Sequence, residues 1–275
     1  MTIQTKGKLL DLSKPQVMGI LNLTPDSFHD GGQNNDLNSA LSRIEKMLKE
    51  GATIIDIGGQ STRPGANFLN ADEELNVLFP FLNEIIKNFP ETIFSIDTFW
   101  GKVAQETVDA GVAIVNDVSA GTIDNDMFKI VAALKVPYIL MHMQGTPQTM
   151  QNNPHYENIV LEVNEFYSTK INELKALGIN DIILDPGYGF GKTVQHNYQL
   201  LKNQELLGFG EYLILAGVSR KSMVTKVLNI KNKEALNGTT ALHMLALIHG
   251  ANILRVHDVT EAIECIKIFE AYKQA

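Results

Sequence analysis

Three aspartates stand at the ends of short, β-branched apolar runs, in the segments TIIDIG, IFSIDT and IILDPG: Asp56, Asp97 and Asp185. One such aspartate is most often a turn former or a helix cap. Three that converged on one site would repel one another, and they would need a cation or a ligand rich in hydrogen-bond donors. Their positions therefore predict a polar binding site, provided that the fold brings the three runs together.

A glycine-rich stretch, LDPGYGFGKT, ends in Gly191-Lys192-Thr193 in the manner of a nucleotide-binding P-loop. The P-loop pattern requires a glycine at position 186, because its backbone N–H groups bind the phosphates. Pro186 occupies that position and has no N–H group to donate. We therefore exclude a P-loop and expect Asp185 to be the functional residue of this stretch.

The segment GVSRKSM is a candidate anion site. Ser219 is predicted to cap a helix that opens at Arg220 and Lys221. Backbone N–H groups at a helix start, together with cationic side chains, favour a bound anion. The alternative for Lys221 is an ordinary solvated charge on the helix surface.

Eight apolar runs supply the strands that must position these residues: 17–22, 53–58, 93–98, 113–118, 137–142, 182–187, 212–219 and 252–258. Segments with helical periodicity alternate with them, and Pro80 predicts a kink or break in one of these, 71–88. Eight alternations favour a single-domain α/β fold, a (β/α)8 TIM barrel over residues 16–275, with a doubly wound open sheet as the alternative. Residues 1–15 are expected to form a small N-terminal lid over the barrel bottom.

Alternation along each strand predicts which residues face the barrel interior. The apolar neighbours of the polar residues fall on the outward face, where they can meet the helices. Barrel enzymes place their chemistry at the carboxyl ends of the strands. The polar residues expected to converge on that mouth are Asn22, Asp56, Asp97, Asn116, Asp185, Arg255 and His257.

Composition restricts the classes of partner. The net charge of −8 argues against nucleic acid as the main partner, while it leaves a local basic site open. The single cysteine, Cys265, cannot form an internal disulfide, which fits a reducing compartment. The N-terminus has no signal-peptide core, and no run approaches the roughly 20 apolar residues of a membrane span. These features predict a soluble, cytoplasmic globular protein that does not bind membranes.

Eight blocks of the sequence, in register through nearly the whole chain, resemble dihydropteroate synthase of folate biosynthesis: MGILNLTPDSF, DIGGQSTRPGA, SIDT, NDVSAG, LMHMQGTP, LDPGYGFGKT, GVSRKSM and GANILRVHDV. The resemblance implies condensation of 6-hydroxymethyl-7,8-dihydropterin pyrophosphate with 4-aminobenzoate, giving 7,8-dihydropteroate and pyrophosphate. It also implies Mg²⁺ as cofactor, a homodimer, and competition by sulfonamides. Gln60 departs from the glutamate of the family's common GGESTRPG. This difference puts in doubt how the second loop, which follows the predicted strand 53–58, closes over the site, and it does not affect the type of reaction.

The resemblance also implies three groups of site residues. The pterin-binding group is Asp56, Asp97, Asn116, Met141, Asp185, Phe190, Gly217 and Lys221. The pyrophosphate-binding group is Asn22, Thr62, Arg255 and His257, with Asn22 also at the metal. The aminobenzoate-binding group is Phe28, Thr62, Arg63, Pro64, Ser219 and Lys221. The catalytic roles are implied for Asp97, Lys221, Arg255 and Asn22.

Three other functions remain open from the sequence. A pterin-binding barrel that transfers a methyl group from methyltetrahydrofolate would share the fold and the carboxylates, but STRPG and SRKS favour the synthase. A non-catalytic pterin-binding protein would not need Lys221, Arg255 or the long loops. A metal-dependent hydrolase built on Asp56, Asp97 and Asp185 would normally have clustered histidines, which the sequence lacks.

Overall fold

The computed structural model describes residues 1–23, 32–61 and 68–275, and the side chains of all of these except residues 32–35. It begins with an antiparallel hairpin of β1 (Thr2–Thr5) and β2 (Lys8–Asp11). The eight strands that follow are β3 (Gln16–Asn22), β4 (Ile54–Gly58), β5 (Ile93–Asp97), β6 (Ile114–Asp117), β7 (Tyr138–Met141), β8 (Ile182–Asp185), β9 (Leu213–Ala216) and β10 (Ile253–Val256).

These eight strands are parallel and close into a barrel in which β10 pairs with both β9 and β3. The helices between and after them are α1 (Gly32–Glu50), α2 (Ala71–Asn88), α3 (Gly101–Asp109), α4 (Met127–Leu134), α5 (Ile159–Ala176), α6 (Val194–Lys202), α7 (Ser222–Leu228), α8 (Leu236–Ile248) and α9 (Val259–Gln274). The predicted (β/α)8 barrel is therefore confirmed, and the open sheet is excluded because the sheet has no free edge.

The apolar residues divide into two layers, as the alternation of the strands predicts. Outward-facing side chains such as Ile55 and Ile96 pack in one large cluster with the helices. Inward-facing side chains in the lower half of the barrel, such as Ile54 and Ile183, form a second cluster. This inner apolar layer does not reach the carboxyl ends of the strands. The part of the barrel interior near those ends is therefore lined by polar residues.

The N-terminal hairpin packs at the bottom of the barrel. Ile3 is buried in the lower interior cluster, and so is Leu12 just after the hairpin. Lys6 donates to the carbonyls of Pro90 and Thr92 at 2.9 and 2.8 Å, just before β5. These contacts attach the hairpin to the end of the barrel opposite the mouth, while the division of the chain at residue 15 stays a prediction.

The break that was one of the two expectations at Pro80 does not occur, because helix α2 runs through this residue, and the kink stays a prediction. Asn70 and Glu73 form a capping box at its start, and one face of the helix, which includes Leu78 and Leu82, is buried. Capping and burial thus outweigh the backbone hydrogen bond that a proline removes. Within the described segments, none of the helices is long and apolar enough to cross a membrane.

Candidate functional site

Arg255, on β10, binds aspartates from two other strands at the barrel mouth, and one of these also contacts a residue of a third strand. Its Nε donates to Oδ2 of Asp56 at 2.6 Å, and its Nη2 donates to Oδ2 of Asp97 at 2.7 Å. The side-chain amide of Asn116 donates to the same Asp56 oxygen at 3.1 Å. The structure therefore brings these four predicted residues together, as the strand phase required.

The mouth is a dense group of charges with restricted access to water. Burial raises the pKa of Asp97 to about 7, although neighbouring Arg255 opposes this shift. Burial disfavours the charge of Arg255, but Asp56 and Asp97 raise its pKa overall. Oδ1 of Asp56 and Oδ1 of Asp97 are buried without a hydrogen-bond partner among the described residues. These two acceptors suit a ligand that presents hydrogen-bond donors.

Lys221 lies on the other side of the mouth. Its Nζ donates to the backbone carbonyl of Tyr188 and lies 4.8 Å from the centre of the Phe190 ring. Burial lowers the pKa of Lys221 to about 8, and Asp185 opposes this shift. A side chain at Gly217 would reach within 3.6 Å of the same Nζ, so this glycine borders the lysine.

An apolar wall adjoins these charged groups. Met141 is buried in a small cluster with Phe99 and Val118, and Phe190 packs against that cluster. Met141 and Phe190 were predicted to bind the pterin, whereas Phe99 was not selected from the sequence. Nothing in the sequence was a reason to select Phe99 as a site residue, because it lies after β5, where the inward and outward alternation of the strand no longer applies. The mouth thus combines a polar face with an apolar face suited to a flat ring.

The prediction that Ser219 caps a helix is wrong. Helix α7 begins at Ser222, and Arg220 adopts a left-handed conformation with φ of 55°. The Arg220 guanidinium donates twice to Asp258, at 2.8 and 2.6 Å, and this pair holds the turn away from helical geometry. The backbone N–H of His257 instead donates to the Ser219 hydroxyl at 3.3 Å.

His257 faces the mouth as a neutral ring. Burial, followed by the charge of Arg255, lowers its pKa to about 4. The Ser219 hydroxyl lies 3.0 Å from its Nδ1. His257 is therefore suited to form hydrogen bonds at neutral pH rather than to supply a positive charge.

Asn22 ends β3 next to Gly58 of β4. A Cβ atom added at Gly58 would lie 3.5 Å from Oδ1 of Asn22 and 4.0 Å from Oδ2 of Asp97. Amide and carboxylate oxygens are ligands that Mg²⁺ accepts. Over the described residues, no three His, Cys, Asp or Glu side chains are grouped as a metal site. The Asn22 amide oxygen is therefore of a type that can ligate Mg²⁺ together with substrate oxygens, and the Mg²⁺ cofactor stays a prediction.

A buried network at the base of the second loop was missed in the sequence. Gln60 donates to Oε2 of Glu74 at 2.7 Å, and the Thr98 hydroxyl donates to the same atom at 2.9 Å. Thr98 directly follows Asp97. The only signal in the sequence was the unusual Gln60, since nothing in the order of residues shows that α2 brings Glu74 to it. The network connects β4, α2 and the residue that follows β5.

Replacing Glu74 by Gln is expected to reduce the dependence of stability on pH. Burial raises the pKa of Glu74 from 4.5 to about 8, against the hydrogen bond from Thr98. Between these values ionisation stabilises the unfolded chain, so the free energy of unfolding falls as pH rises through about 8. The contribution of Glu74 to this fall is roughly 3–5 kcal/mol, and E74Q should remove that contribution while the contribution of Asp97, whose pKa is also raised, persists.

Urea denaturation at pH 5 and pH 8 measures this difference. The exposed Glu157→Gln substitution is the matched control and should leave the dependence of the wild-type chain unchanged. An E74Q variant with the same fall between the two pH values would show that Glu74 is not the group responsible.

Four predicted site residues lie outside the described residues: Phe28, Thr62, Arg63 and Pro64. Their roles stay predictions. Asp56, Asp97, Asn116 and Arg255 are in direct contact, and Lys221 is beside Phe190.

Comparisons with known proteins agree with this architecture. The family profile described as pterin binding enzyme matches residues 18–257. Dihydropteroate synthase of Haemophilus influenzae is 45% identical, with 100% of both chains covered. The enzyme of the same name from Escherichia coli K12 is 42% identical over 98% of this chain and 96% of its own.

Two solved structures have the same fold. A Yersinia pestis dihydropteroate synthase in complex with a sulfonamide drug aligns with a TM-score of 0.93 and 43% identity, covering 100% of both chains. The Xanthomonas albilineans dihydropteroate synthase with 4-aminobenzoic acid aligns with a TM-score of 0.91 and 36% identity, covering 100% of this chain and 98% of its own. With full-length similarity in both sequence and structure, the chain belongs to the dihydropteroate synthase family of pterin-binding enzymes.

Proposed function

We propose that this protein condenses 6-hydroxymethyl-7,8-dihydropterin pyrophosphate with 4-aminobenzoate to give 7,8-dihydropteroate and pyrophosphate. The observation that carries the proposal is the pairing of an acceptor-rich face with an apolar wall in one mouth. A dihydropterin has a flat ring system and an edge of N–H donors. Asp97, Asn116 and Asp185 offer acceptors for that edge, and Met141 and Phe190 offer contact surface for the ring.

The relatives support the second substrate. A sulfonamide and 4-aminobenzoic acid are bound in two proteins of the same fold at 43% and 36% identity. In this chain the aminobenzoate is assigned to the side of the mouth that carries Ser219 and Lys221, with Phe28, Thr62, Arg63 and Pro64 as the loop residues. Sulfonamides should therefore compete with 4-aminobenzoate.

The reaction replaces a carbon–oxygen bond by a carbon–nitrogen bond. The bond between the pterin methylene and pyrophosphate breaks first, and its electron pair leaves with the pyrophosphate oxygen. The positive charge that remains is delocalised into the pterin ring, where the Asp97 carboxylate stabilises it. The neutral amine of 4-aminobenzoate then attacks the methylene carbon and loses a proton to water.

Cationic and neutral donors surround the departing pyrophosphate in this assignment. Arg255 carries positive charge, and His257 contributes hydrogen bonds from a neutral ring. Mg²⁺ is assigned to Asn22 and to substrate phosphate oxygens. When bound, it would neutralise charge on the leaving group.

Pyrophosphate release tests the proposed function. The purified chain should release pyrophosphate from the dihydropterin pyrophosphate, and sustained, rapid release should require both 4-aminobenzoate and Mg²⁺. Omission of Mg²⁺ should reduce the rate strongly and leave the protein folded. Folded protein that releases no pyrophosphate from the complete mixture would refute the proposal. Methyl transfer from methyltetrahydrofolate under the same conditions would favour the methyltransferase alternative.

We further propose that the protein is a homodimer, on the basis of apolar side chains exposed on three neighbouring helices. These are Val227 and Leu228 at the end of α7, Leu245 and Ile248 on α8, and Ile268 and Tyr272 on α9. Light scattering should give twice the chain mass of 30.4 kDa, and the mass of one chain at micromolar concentration would contradict the dimer. The cytoplasmic location stays a prediction.

A further inference from the structure

Lys192 is the lysine of the excluded P-loop, and it is buried behind the mouth with 3% of its surface exposed. Its Nζ donates to three backbone carbonyls, those of His142 at 3.1 Å, Gly187 at 3.1 Å and Phe190 at 2.9 Å. It also lies 2.9 Å from Nδ1 of His142. One side chain therefore joins the end of β7 to both ends of the loop that follows β8.

The loop that Lys192 holds, residues 186–191, lies directly on the backbone of the neighbouring segment. A Cβ atom at Gly187 would lie 2.0 Å from the carbonyl oxygen of His142, and one at Gly191 would lie 2.5 Å from that of Gln144. Both glycines also have positive φ, at 63° and 61°. The loop can approach this closely only because these positions lack side chains, and Lys192 supplies the hydrogen bonds that keep it there.

This loop carries three groups that face the mouth. The Gly187 N–H donates to Oδ1 of Asp185 at 2.8 Å and orients that carboxylate. The Tyr188 carbonyl accepts from Lys221, and the Phe190 ring lies under the same lysine. Lys192 binds this loop near both of its ends, at the carbonyls of Gly187 and Phe190. A shift of the loop would therefore move Asp185, Lys221 and Phe190 together.

We propose that Lys192 is a positioning residue for pterin binding, which acts by holding the 186–191 loop against the end of β7. The inference rests on the proposed function, because it assumes that Asp185, Lys221 and Phe190 contact the pterin. Lys192 itself does not touch the substrate.

Lys192→Met tests this role, since methionine has a similar length and no N–H donor. The dissociation constant for the dihydropterin pyrophosphate, measured by calorimetry, should rise at least about tenfold, which corresponds to ~1.4 kcal/mol. The KM for the pterin substrate should rise in parallel, whereas the KM for 4-aminobenzoate at saturating pterin should change less than about twofold. Amide hydrogen exchange should increase in residues 186–192.

The exposed Lys202→Met on α6 is the matched control and should bind the pterin as the wild-type chain does. If Lys192→Met does not fold, Lys192→Gln, which keeps two N–H donors, replaces it and should show a smaller increase. Folded variants that bind pterin with wild-type affinity would overturn the inference, and so would failure of both to fold. If the wild-type chain itself binds no pterin, the proposed function fails instead.

Discussion

Replacing Asp97 by Ala should lower kcat/KM by a factor on the order of 10³ and leave the protein folded. The variant loses the carboxylate that faces the developing positive charge, together with one of the two carboxylates that hold Arg255. Folding should be largely retained, because burial disfavours the charged form of Asp97 and Asp56 still accepts from Arg255. Pyrophosphate release and Tm measured on the same preparation separate the two effects.

Asp97→Asn is the informative control for this variant. It keeps the size of the side chain and one oxygen acceptor but removes the negative charge. If charge stabilisation is the main role of Asp97, Asn should be nearly as inactive as Ala. If Asn retains most of the activity, hydrogen bonding is the main role. A fully active Asp97→Ala variant would exclude Asp97 from the chemistry.

Replacing Arg255 by Met should be the most destabilising substitution in the mouth. It leaves Asp56 and Asp97 buried without their common counter-ion, and breaking a buried ion pair in this way costs about 3–5 kcal/mol. The loss should be smaller at low pH than at pH 8, because Arg255 lowers the pKa of Asp97, and without the arginine this carboxyl group is more easily protonated to its neutral form. Turnover should fall by at least about 100-fold, since Arg255 also stabilises the leaving group.

Urea denaturation at two pH values and pyrophosphate release measure these effects. Lys102→Met is the matched control, because it breaks an ion pair to Asp72 with a similar separation of 2.6 Å that lies on the surface. That substitution should change stability and turnover little, as is usual for an exposed pair. An Arg255→Met variant as stable as the control would mean that the two aspartates do not depend on the arginine.

The strands were predictable because the signal for a buried parallel strand is local: it is a short run of consecutive β-branched and apolar residues. The alternation of inward and outward side chains also explains why two adjacent polar residues at the end of β6 have different roles. Asn116 faces the mouth and donates to Asp56, whereas Asp117 accepts from the Tyr138 hydroxyl and from loop N–H groups. Asp117 thus stabilises a turn, which is the ordinary role of an aspartate at the end of a strand. The alternation along β6 distinguishes it from Asn116.

The errors occurred where distant contacts outweigh local preference. Pro80 does not break α2, because the buried face of the helix is held by the barrel. Helix α7 starts at Ser222, because Arg220 is drawn to Asp258 from the far end of the chain. Lys192 had no visible role, since His142, to which it attaches the loop, lies 50 residues earlier in the chain, just after β7.

The sequence by itself determined the eight-stranded barrel, the end of the barrel that carries the polar residues, and the family. Each of these depends on local patterns of polarity or on motifs that are contiguous in the chain. The tertiary structure alone decided that Arg255 pairs with two aspartates, that Glu74 is buried against Gln60, and that Lys192 attaches the loop after β8 to His142. These contacts join residues far apart in the chain, and their energies depend on burial and distance, which only the closed barrel sets.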